Sequence, residues 1–222
     1  MRTIRSFVKR KGRITPGQNF AIKELWPKYG IDYSDNILNL NALFDNNFPV
    51  HMEIGFGDGD LLVSQACLNL NTNFLGIEVH EPGIGHCLLQ IEKNNLDNIK
   101  IVSQDAIDVI TFQIQDESLH QVSLYFPDPW PKKRHHKRRL FQRNFLGLIH
   151  KKLVKGGTFC IATDWKNYAE HIDLIIKENS NFSIIKRIEH DGKALLDRPP
   201  TKFEKRGLKQ GHHIWDWVIK RK

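Results

Sequence analysis

An acid and three alternating glycines directly follow a short apolar segment near residue 50. Glu53 precedes Gly55, Gly57 and Gly59, and a helix-like apolar segment comes next. This order is typical of a strand, a tight turn and a helix, and glycine lets such a turn approach a ligand closely. The dinucleotide fingerprint would place its third small residue at position 60, where this sequence has Asp60. Because an acidic turn repels a pyrophosphate, the spacing favours a cationic ligand without phosphate, such as S-adenosylmethionine.

Two further acids follow the next two strand-like segments. Residues 73–79 and 98–105 have strand character, which places Glu78 and Asp105 at the carboxyl ends of predicted strands. Ligands of open α/β sheets bind outside these ends. There Glu78 is expected to accept hydrogen bonds from two ribose hydroxyls, and Asp105 from an adenine amino group. A glycine-rich turn alone also occurs as an ordinary tight turn, but three strand-end acids together favour a cofactor site.

The next predicted strand, residues 121–126, ends in a proline-rich segment with an acid and a tryptophan. Prolines flank Asp128 and would stiffen the exit from the strand. A fixed carboxylate accepts from both N1–H and the exocyclic amine of guanine, a donor pair that adenine and pyrimidines lack. On this interpretation Trp130 stacks on a base or packs beside the cofactor. The alternative is a rigid loop in which Trp130 only fills the core.

Positive charge is concentrated in three places. The formal net charge is +8, and seven Lys or Arg residues precede the first acid, Glu24. A second run covers residues 132–139, and a third lies in the tail from Lys202 onward. A single run is often a solvated face, but three runs, one beside the predicted site, favour nucleic-acid phosphates as partners. The adjacent histidines His135 and His136 lack the Cys or carboxylate set of a metal site, and no metal is expected.

The elements that must position these residues alternate between strands and helices. A helical stripe over residues 140–153 is expected to end at Gly156-Gly157, and strands are expected at 158–162, near 182–185 and at 213–219. Residues 198–207 are too polar and proline-broken to be expected in the core. The pattern predicts a doubly wound, mostly parallel seven-stranded sheet with helices on both faces and an antiparallel last strand.

Length and composition indicate one globular domain. The 222 residues are divided into a basic N-terminal extension, 1–45, and a domain, 46–222. No apolar run is long enough for a membrane span, and the N-terminus lacks the apolar stretch of a signal peptide. The three cysteines are scattered among apolar neighbours, which favours buried, reduced thiols in a cytoplasmic protein.

Over nearly its whole length the sequence resembles the bacterial tRNA (guanine-N7-)-methyltransferases. The motifs that carry the resemblance are Arg5-Ser6-Phe7-Val8, residues 53–57, residues 76–80, residues 126–135, residues 162–165, Thr201-Lys202-Phe203-Glu204 and residues 211–216. The resemblance implies a Rossmann-like class I methyltransferase that uses S-adenosylmethionine to methylate the variable-loop guanine of tRNA. It leaves open whether the protein is a monomer or a homodimer, and no obligatory protein partner is evident.

The resemblance also implies roles for individual residues. The catalytic residue would be Asp128. The cofactor would be bound by Glu53, Gly55, Gly57, Glu78, Asp105 and Asp128. The substrate would be contacted by Lys132, Asp164, Thr201, Lys202, Phe203 and Glu204. The RNA would be contacted by Arg134, His135, His136, Lys137, Arg138 and Arg139.

Two alternatives remain open from the sequence. A methyltransferase acting on an exocyclic base nitrogen would also have a proline-containing motif after the fourth strand, usually with two consecutive prolines and an aromatic after Asp or Asn. The Pro127-Asp128-Pro129 order departs from that pattern. A non-enzymatic RNA-binding module could have kept the fold, but the acids at positions 53, 78, 105 and 128 argue against it.

Overall fold

The computed structural model describes residues 6–7, 12–192 and 198–222. Its strands are β1 Gly30–Ile31, β2 Val50–Ile54, β3 Asn73–Ile77, β4 Ile99–Val102, β5 Leu119–Tyr125, β6 Leu153–Thr163, β7 Phe182–His190 and β8 Ile214–Arg221. Its α-helices are α1 Pro16–Glu24, α2 Trp26–Tyr29, α3 Leu40–Phe44, α4 Asp60–Leu68, α5 Glu81–Lys93, α6 Ala106–Asp108, α7 Arg143–Lys152, α8 Lys166–Lys177 and α9 Lys202–Lys209. A π-helical turn, Val109–Gln113, follows α6, and a 3₁₀ helix, Lys133–Arg138, follows β5.

All eight strands belong to one sheet, in the order β1-β4-β3-β2-β5-β6-β8-β7. Its strands are parallel from β1 to β6, whereas β8 runs antiparallel to both β6 and β7. The predicted doubly wound, mostly parallel sheet with an antiparallel last strand is therefore confirmed. The strand count is one higher than predicted because Gly30–Ile31 pairs with Ile101–Val102 at the sheet edge.

Helices cover the two faces of the sheet and bury two apolar clusters. Side chains such as Met52, Val122 and Phe159 pack against α7, α8 and the π-helical turn on one face. Phe74 and Ile101 on the other face pack against α1, α4 and α5. Every residue of β2 and β3 is buried, as expected for parallel strands covered on both sides. This packing fixes the carboxyl ends of the central strands at one edge.

Residues 16–44 contribute three helices and one strand to this architecture, and α1 packs against α5. The domain division at residue 45 stays a prediction. Arg5 and Val8 of the N-terminal motif and basic residues 9–11 lie outside the described residues. No helix among residues 6–7, 12–192 and 198–222 is long and apolar enough to cross a membrane.

The region before β6 differs from its prediction. Helix α7 ends at Lys152 and the chain enters β6 directly at Leu153, so Gly156-Gly157 lies inside a strand rather than at a helix end. Gly156 has a φ of +79°, and the pairing of β6 with β5 shifts register between Leu119 and Gln121. The glycine pair therefore accommodates a bulge in the strand. The prediction was wrong because a pair of glycines after an apolar segment is typical of both a helix end and a bulge.

Two other expectations were wrong. The segment 198–207 was expected to stay out of the core, yet it contains most of α9, and the Glu204 side chain is buried. Its burial is possible because a charged partner, Arg198, is buried with it. Of the three cysteines, Cys87 is buried but Cys67 is exposed, since Cys67 lies near the end of the short helix α4.

Candidate active site

A turn of three left-handed glycines links β2 to α4. Gly55, Gly57 and Gly59 have φ values of +71°, +65° and +83°, a backbone region that residues with side chains rarely adopt. A Cβ on Gly59 would lie 2.5 Å from Sγ of Cys87 on α5. The turn therefore lies close against α5 and presents bare backbone at the carboxyl edge of the sheet.

Glu78 joins this turn to the end of β3. Its Oε2 accepts a hydrogen bond from the Gly57 N–H at 2.9 Å. Its Oε1 accepts from the N–H groups of Val79 at 2.6 Å and His80 at 3.0 Å. These bonds hold the carboxylate in one orientation at the carboxyl end of β3.

Glu53 is buried beneath the turn. The residue is 3% exposed, and its Oε2 has no hydrogen-bond partner among the described residues. Burial raises the pKa of Glu53 to about 8; Arg198 opposes this rise, and Glu78 and Asp58 add to it. A buried carboxyl oxygen without a hydrogen-bond partner is costly, and a cationic ligand nearby would relieve that cost. The residues present therefore fit S-adenosylmethionine, which carries two positive charges.

Asp105 follows β4 and caps the next helix. Its Oδ1 accepts from the Ile107 N–H at 3.0 Å, and the residue is 7% exposed. Its neighbours Gln104 and Ala106 line the cavity described below. Asp105 thus lies next to the cavity lining, and the cap fixes its orientation; its contact with adenine stays a prediction.

The exit from β5 is held in an unusual backbone conformation. Phe126 and Trp130 both have positive φ, +50° and +46°, which is uncommon for bulky side chains. The Trp130 indole N–H donates to the Ser6 carbonyl at 3.1 Å, and the Arg139 guanidinium donates to the Pro129 carbonyl at 2.9 Å. These contacts fix a loop on which Asp128 is exposed.

A cavity of about 350 Å³ brings these elements together. Its size is at the lower end of the range for small-molecule sites. Its lining includes Gly55, Gly57, Glu78, Asp128, Phe7 and Phe203. Four of the six predicted cofactor residues therefore share one cavity, whereas Glu53 and Asp105 lie in its immediate surroundings.

The basic run after Asp128 forms the 3₁₀ helix. Lys132, Lys133, Arg134 and Lys137 are exposed. The Arg138 guanidinium lies 4.0 Å from the centre of the Trp130 ring, a cation–π contact. Partial desolvation and neighbouring cations lower the pKa of His135. The exposed charges therefore come mainly from Lys and Arg.

Arg139, the last residue of this run, is 2% exposed. Besides Pro129 it donates to Oδ1 and the carbonyl of Asn167, and its guanidinium lies 4.7 Å from the Tyr168 ring centre. In this structure it joins the Asp128 loop to α8. Among the residues predicted to contact RNA, those that face solvent therefore precede Arg139.

The segment Thr201–Glu204 forms the first turn of α9. Thr201 Oγ1 accepts from the Glu204 N–H at 3.0 Å, and Glu204 Oε2 accepts from the Thr201 N–H at 3.4 Å. This capping box directs Phe203 into the cavity. The Lys202 ammonium lies 3.5 Å from an Asp58 oxygen, so α9 reaches the glycine turn.

Asp164 lies directly after β6 and faces the last turn of α9. Its Oδ2 is 3.1 Å from Nδ1 of His212, and a Cβ added to Gly207 would lie 2.8 Å from the same oxygen. Asp164 therefore contacts the far end of the helix that carries Thr201. Neither Asp164 nor Lys132 is among the cavity residues.

Sequence reasoning missed two contributors. Phe7 lines the cavity. It belongs to the motif at residues 5–8 that contributes to the family resemblance, but no role was predicted for it. Arg198 was not singled out, because nothing in its local sequence indicates that its side chain is buried between two acids.

The sheet order and the strand-end site define a class I methyltransferase. A solved structure described as an antibiotic-related methyltransferase is 19% identical, with a TM-score of 0.59 over 86% of this chain and 96% of that chain. The 16S rRNA methyltransferase KamB is 11% identical, with a TM-score of 0.60 over 84% of this chain and 94% of that chain. At these identities the likeness concerns the fold.

Sequence relatives narrow the class. A family model described as a putative methyltransferase matches residues 47–217. A tRNA (guanine-N(7)-)-methyltransferase from Nitrosococcus oceani is 46% identical over 220 residues, 99% of this chain and 92% of that protein. The enzyme of the same name from Aliivibrio fischeri is 45% identical over 224 residues, 100% of this chain and 93% of that protein. The chain belongs to the tRNA (guanine-N(7)-)-methyltransferase family, which confirms the resemblance drawn from its motifs.

Proposed function

We propose that this protein transfers a methyl group from S-adenosylmethionine to N7 of guanine in tRNA. The observation that carries the proposal is the shared cavity, which places the glycine turn and Glu78 beside Asp128. Family membership supplies the target nucleotide and the RNA class. A tRNA substrate in turn implies a cytoplasmic location, and the choice between monomer and homodimer stays a prediction.

The cofactor is assigned to the glycine turn and the strand-end acids. Glu78 would bind the ribose, Asp105 the adenine, and Glu53 would stabilise the positive charge from beneath the turn. When bound, S-adenosylmethionine supplies an electrophilic methyl group on a sulfonium centre. The bare backbone at Gly55 and Gly57 leaves room for close approach.

Methylation of guanine N7 makes limited demands on the protein. N7 has a free lone pair and loses no proton, so the nucleophile requires no general base. The main task is to hold N7 in line with the methyl group, an orientation effect of roughly 7–11 kcal/mol. Asp128 would accept from N1–H and the exocyclic amine, which holds and polarises the guanine without deprotonating it.

The remaining predicted residues are assigned to the RNA. Lys132 and the exposed residues of the 3₁₀ helix would bind phosphates next to the target. Of the predicted substrate residues, Phe203 reaches the cavity. Asp164 contacts the far end of α9 and the buried Glu204 pairs with Arg198, so these two would support the guanine site through α9. A stacked guanine must be swung out, at a cost of a few kcal/mol, and phosphate contacts offset that cost.

The decisive experiment is transfer of a labelled methyl group to bulk tRNA from cells that lack the modification, followed by nucleoside analysis. We expect all label in 7-methylguanosine, and partial digestion to oligonucleotides should place it in the variable loop. Label on an exocyclic base nitrogen would instead support the first alternative. Tight tRNA binding without transfer, in a protein that also fails to bind the cofactor, would support an RNA-binding module.

A further inference from the structure

Arg198 is a buried cation beside the candidate active site. Its side chain is 6% exposed. One guanidinium nitrogen donates to Glu204 Oε2 at 2.6 Å, and the other donates to Asp216 Oδ1 at 2.8 Å. Arg198 does not line the active-site cavity, so any influence on the reaction acts through other residues.

The two carboxylates come from different elements. Glu204 belongs to the capping box that begins α9, and Asp216 lies on β8, where its second oxygen is 3.2 Å from Nε2 of His190. The N–H of Gly192 donates to Nδ1 of that imidazole, so Nε2 carries the proton and donates to Asp216. Arg198 therefore connects the first turn of α9 to a fixed position on the sheet.

The same guanidinium lies near the end of β5. Its central carbon is 4.8 Å from the ring centre of Tyr125 and 5.8 Å from that of Phe126. Phe126 has the strained positive φ that precedes the Asp128 loop. Arg198 thus contacts the strand end from which the loop begins, as well as α9.

The first turn of α9 faces the glycine turn across the cavity. Phe203 lines the cavity, and a Cβ on Gly57 would lie 3.7 Å from the Phe203 ring. This ring and Asp128 both line the cavity, so the position of the ring affects the shape of the site. That position depends on the contacts of Glu204, because the capping box and the Arg198 ion pair share its Oε2 atom.

We propose that Arg198 is a positioning residue that holds the first turn of α9 at a fixed distance from the glycine turn and the Asp128 loop. This inference rests on the proposed function, since the guanine would bind between those elements. A buried ion pair is weak evidence for stability but can select one conformation. The planar fork of arginine holds two carboxylates in a fixed relative geometry, whereas the lysine ammonium is a compact charge on a flexible stem and does not fix that geometry.

The test compares Arg198→Lys with the matched variant Arg187→Lys. Arg187 also forms a forked pair with one carboxylate, Asp173 on α8, and lies 6.0 Å from the ring centre of Trp217 on β8, so these interactions involve neither α9 nor β5. We expect Arg198→Lys to lower kcat for tRNA at least tenfold at saturating cofactor, with the cofactor Kd changed less than twofold. Arg187→Lys should leave both values within twofold of wild type.

Hydrogen exchange supplies a readout that is independent of activity. Amides of residues 201–209 should exchange at least tenfold faster in Arg198→Lys, while those of β2 and β3 stay unchanged. Asp216→Asn, which keeps the pair with Glu204, should give a smaller increase and serves if Arg198→Lys fails to fold. Arg187→Lys should not change exchange in α9.

Two outcomes would overturn the inference. One is wild-type kcat and wild-type exchange in Arg198→Lys. The other is a uniform loss in which exchange rises throughout the protein and cofactor binding falls together with kcat, which indicates general destabilisation. If the wild-type protein does not methylate tRNA, the proposed function fails, and the exchange measurement still decides whether Arg198 holds α9.

Discussion

The carboxylate of Glu78 accepts a hydrogen bond from the backbone N–H of Gly57 at 2.9 Å. This bond joins the end of β3 to the glycine turn that follows β2. The bond lets one side chain bind a ligand and also shape the turn that contacts it. Loss of the carboxylate therefore affects cofactor binding in two ways.

We expect Glu78→Ala to weaken cofactor binding by at least tenfold and tRNA binding by less than threefold. A hydrogen bond to a charged group contributes about 1.5–3 kcal/mol, and each 1.4 kcal/mol is a factor of ten in affinity. Calorimetry with each ligand measures the two effects separately. Unchanged cofactor affinity would remove Glu78 from the site.

The basic 3₁₀ helix predicts a salt effect. Neutralising Arg134, Lys137 and Arg138 together should weaken tRNA binding and reduce the log–log slope of affinity against salt by about one unit per lost phosphate contact. Cofactor affinity should stay near the wild-type value. Binding isotherms at several salt concentrations provide the slope.

A matched control removes charge at the opposite edge of the sheet. Lys93 and Lys177 are exposed in the last turns of α5 and α8, and helices that follow parallel strands end at the amino edge of the sheet. Replacing both lysines with Gln should leave the slope nearly unchanged. Equal slopes for the two sets of variants would mean that the 3₁₀ helix is only a solvated face.

The pKa of Glu53 predicts a pH effect on cofactor binding. Burial raises this pKa to about 8, so the group is mostly neutral at pH 6.5 and charged above pH 8.5. Because the charged form attracts the sulfonium and ammonium groups, affinity should rise with pH between about 6 and 8 and then level off. Calorimetry across this range measures the rise.

The variant Glu53→Gln isolates this contribution. The glutamine keeps the shape but cannot ionise. Its cofactor affinity should therefore be weaker than that of the wild type above pH 8, and close to that of the wild type at lower pH, where Glu53 is itself mostly neutral. The pH dependence that persists in Glu53→Gln belongs to the cofactor's own amine. If the cofactor affinity of Glu53→Gln rises with pH as steeply as that of the wild type, a group other than Glu53 is responsible for the titration.

The site was predictable where its signals are local. Glycines at alternate positions, an acid after each apolar segment and prolines around Asp128 each indicate a structure within a few residues, and their meeting at one edge follows from parallel strands. Gly30–Ile31 was missed because two residues give no alternation to detect. Arg198 was missed because its burial depends on Glu204 and Asp216, which reach it only through tertiary packing.

Asp128 is exposed on the loop after β5, where it would hold the guanine. Asp128→Asn should lower kcat at least tenfold and shift the melting temperature by no more than a few degrees. Asparagine retains one carbonyl acceptor, but it has no charge and its amine faces a guanine donor; the loss of a charged hydrogen bond costs about 1.5–3 kcal/mol. Single-turnover methyl transfer and thermal melts measure the two effects.

The pH dependence of kcat distinguishes holding the guanine from proton abstraction. At saturating cofactor, where the Glu53 titration no longer limits binding, the wild-type kcat should show no essential base between pH 6 and 9, because N7 releases no proton. If a group titrates in that range and the titration disappears in Asp128→Asn, then Asp128 is a proton acceptor. An exocyclic amine, which must lose a proton on methylation, would in that case be the better target.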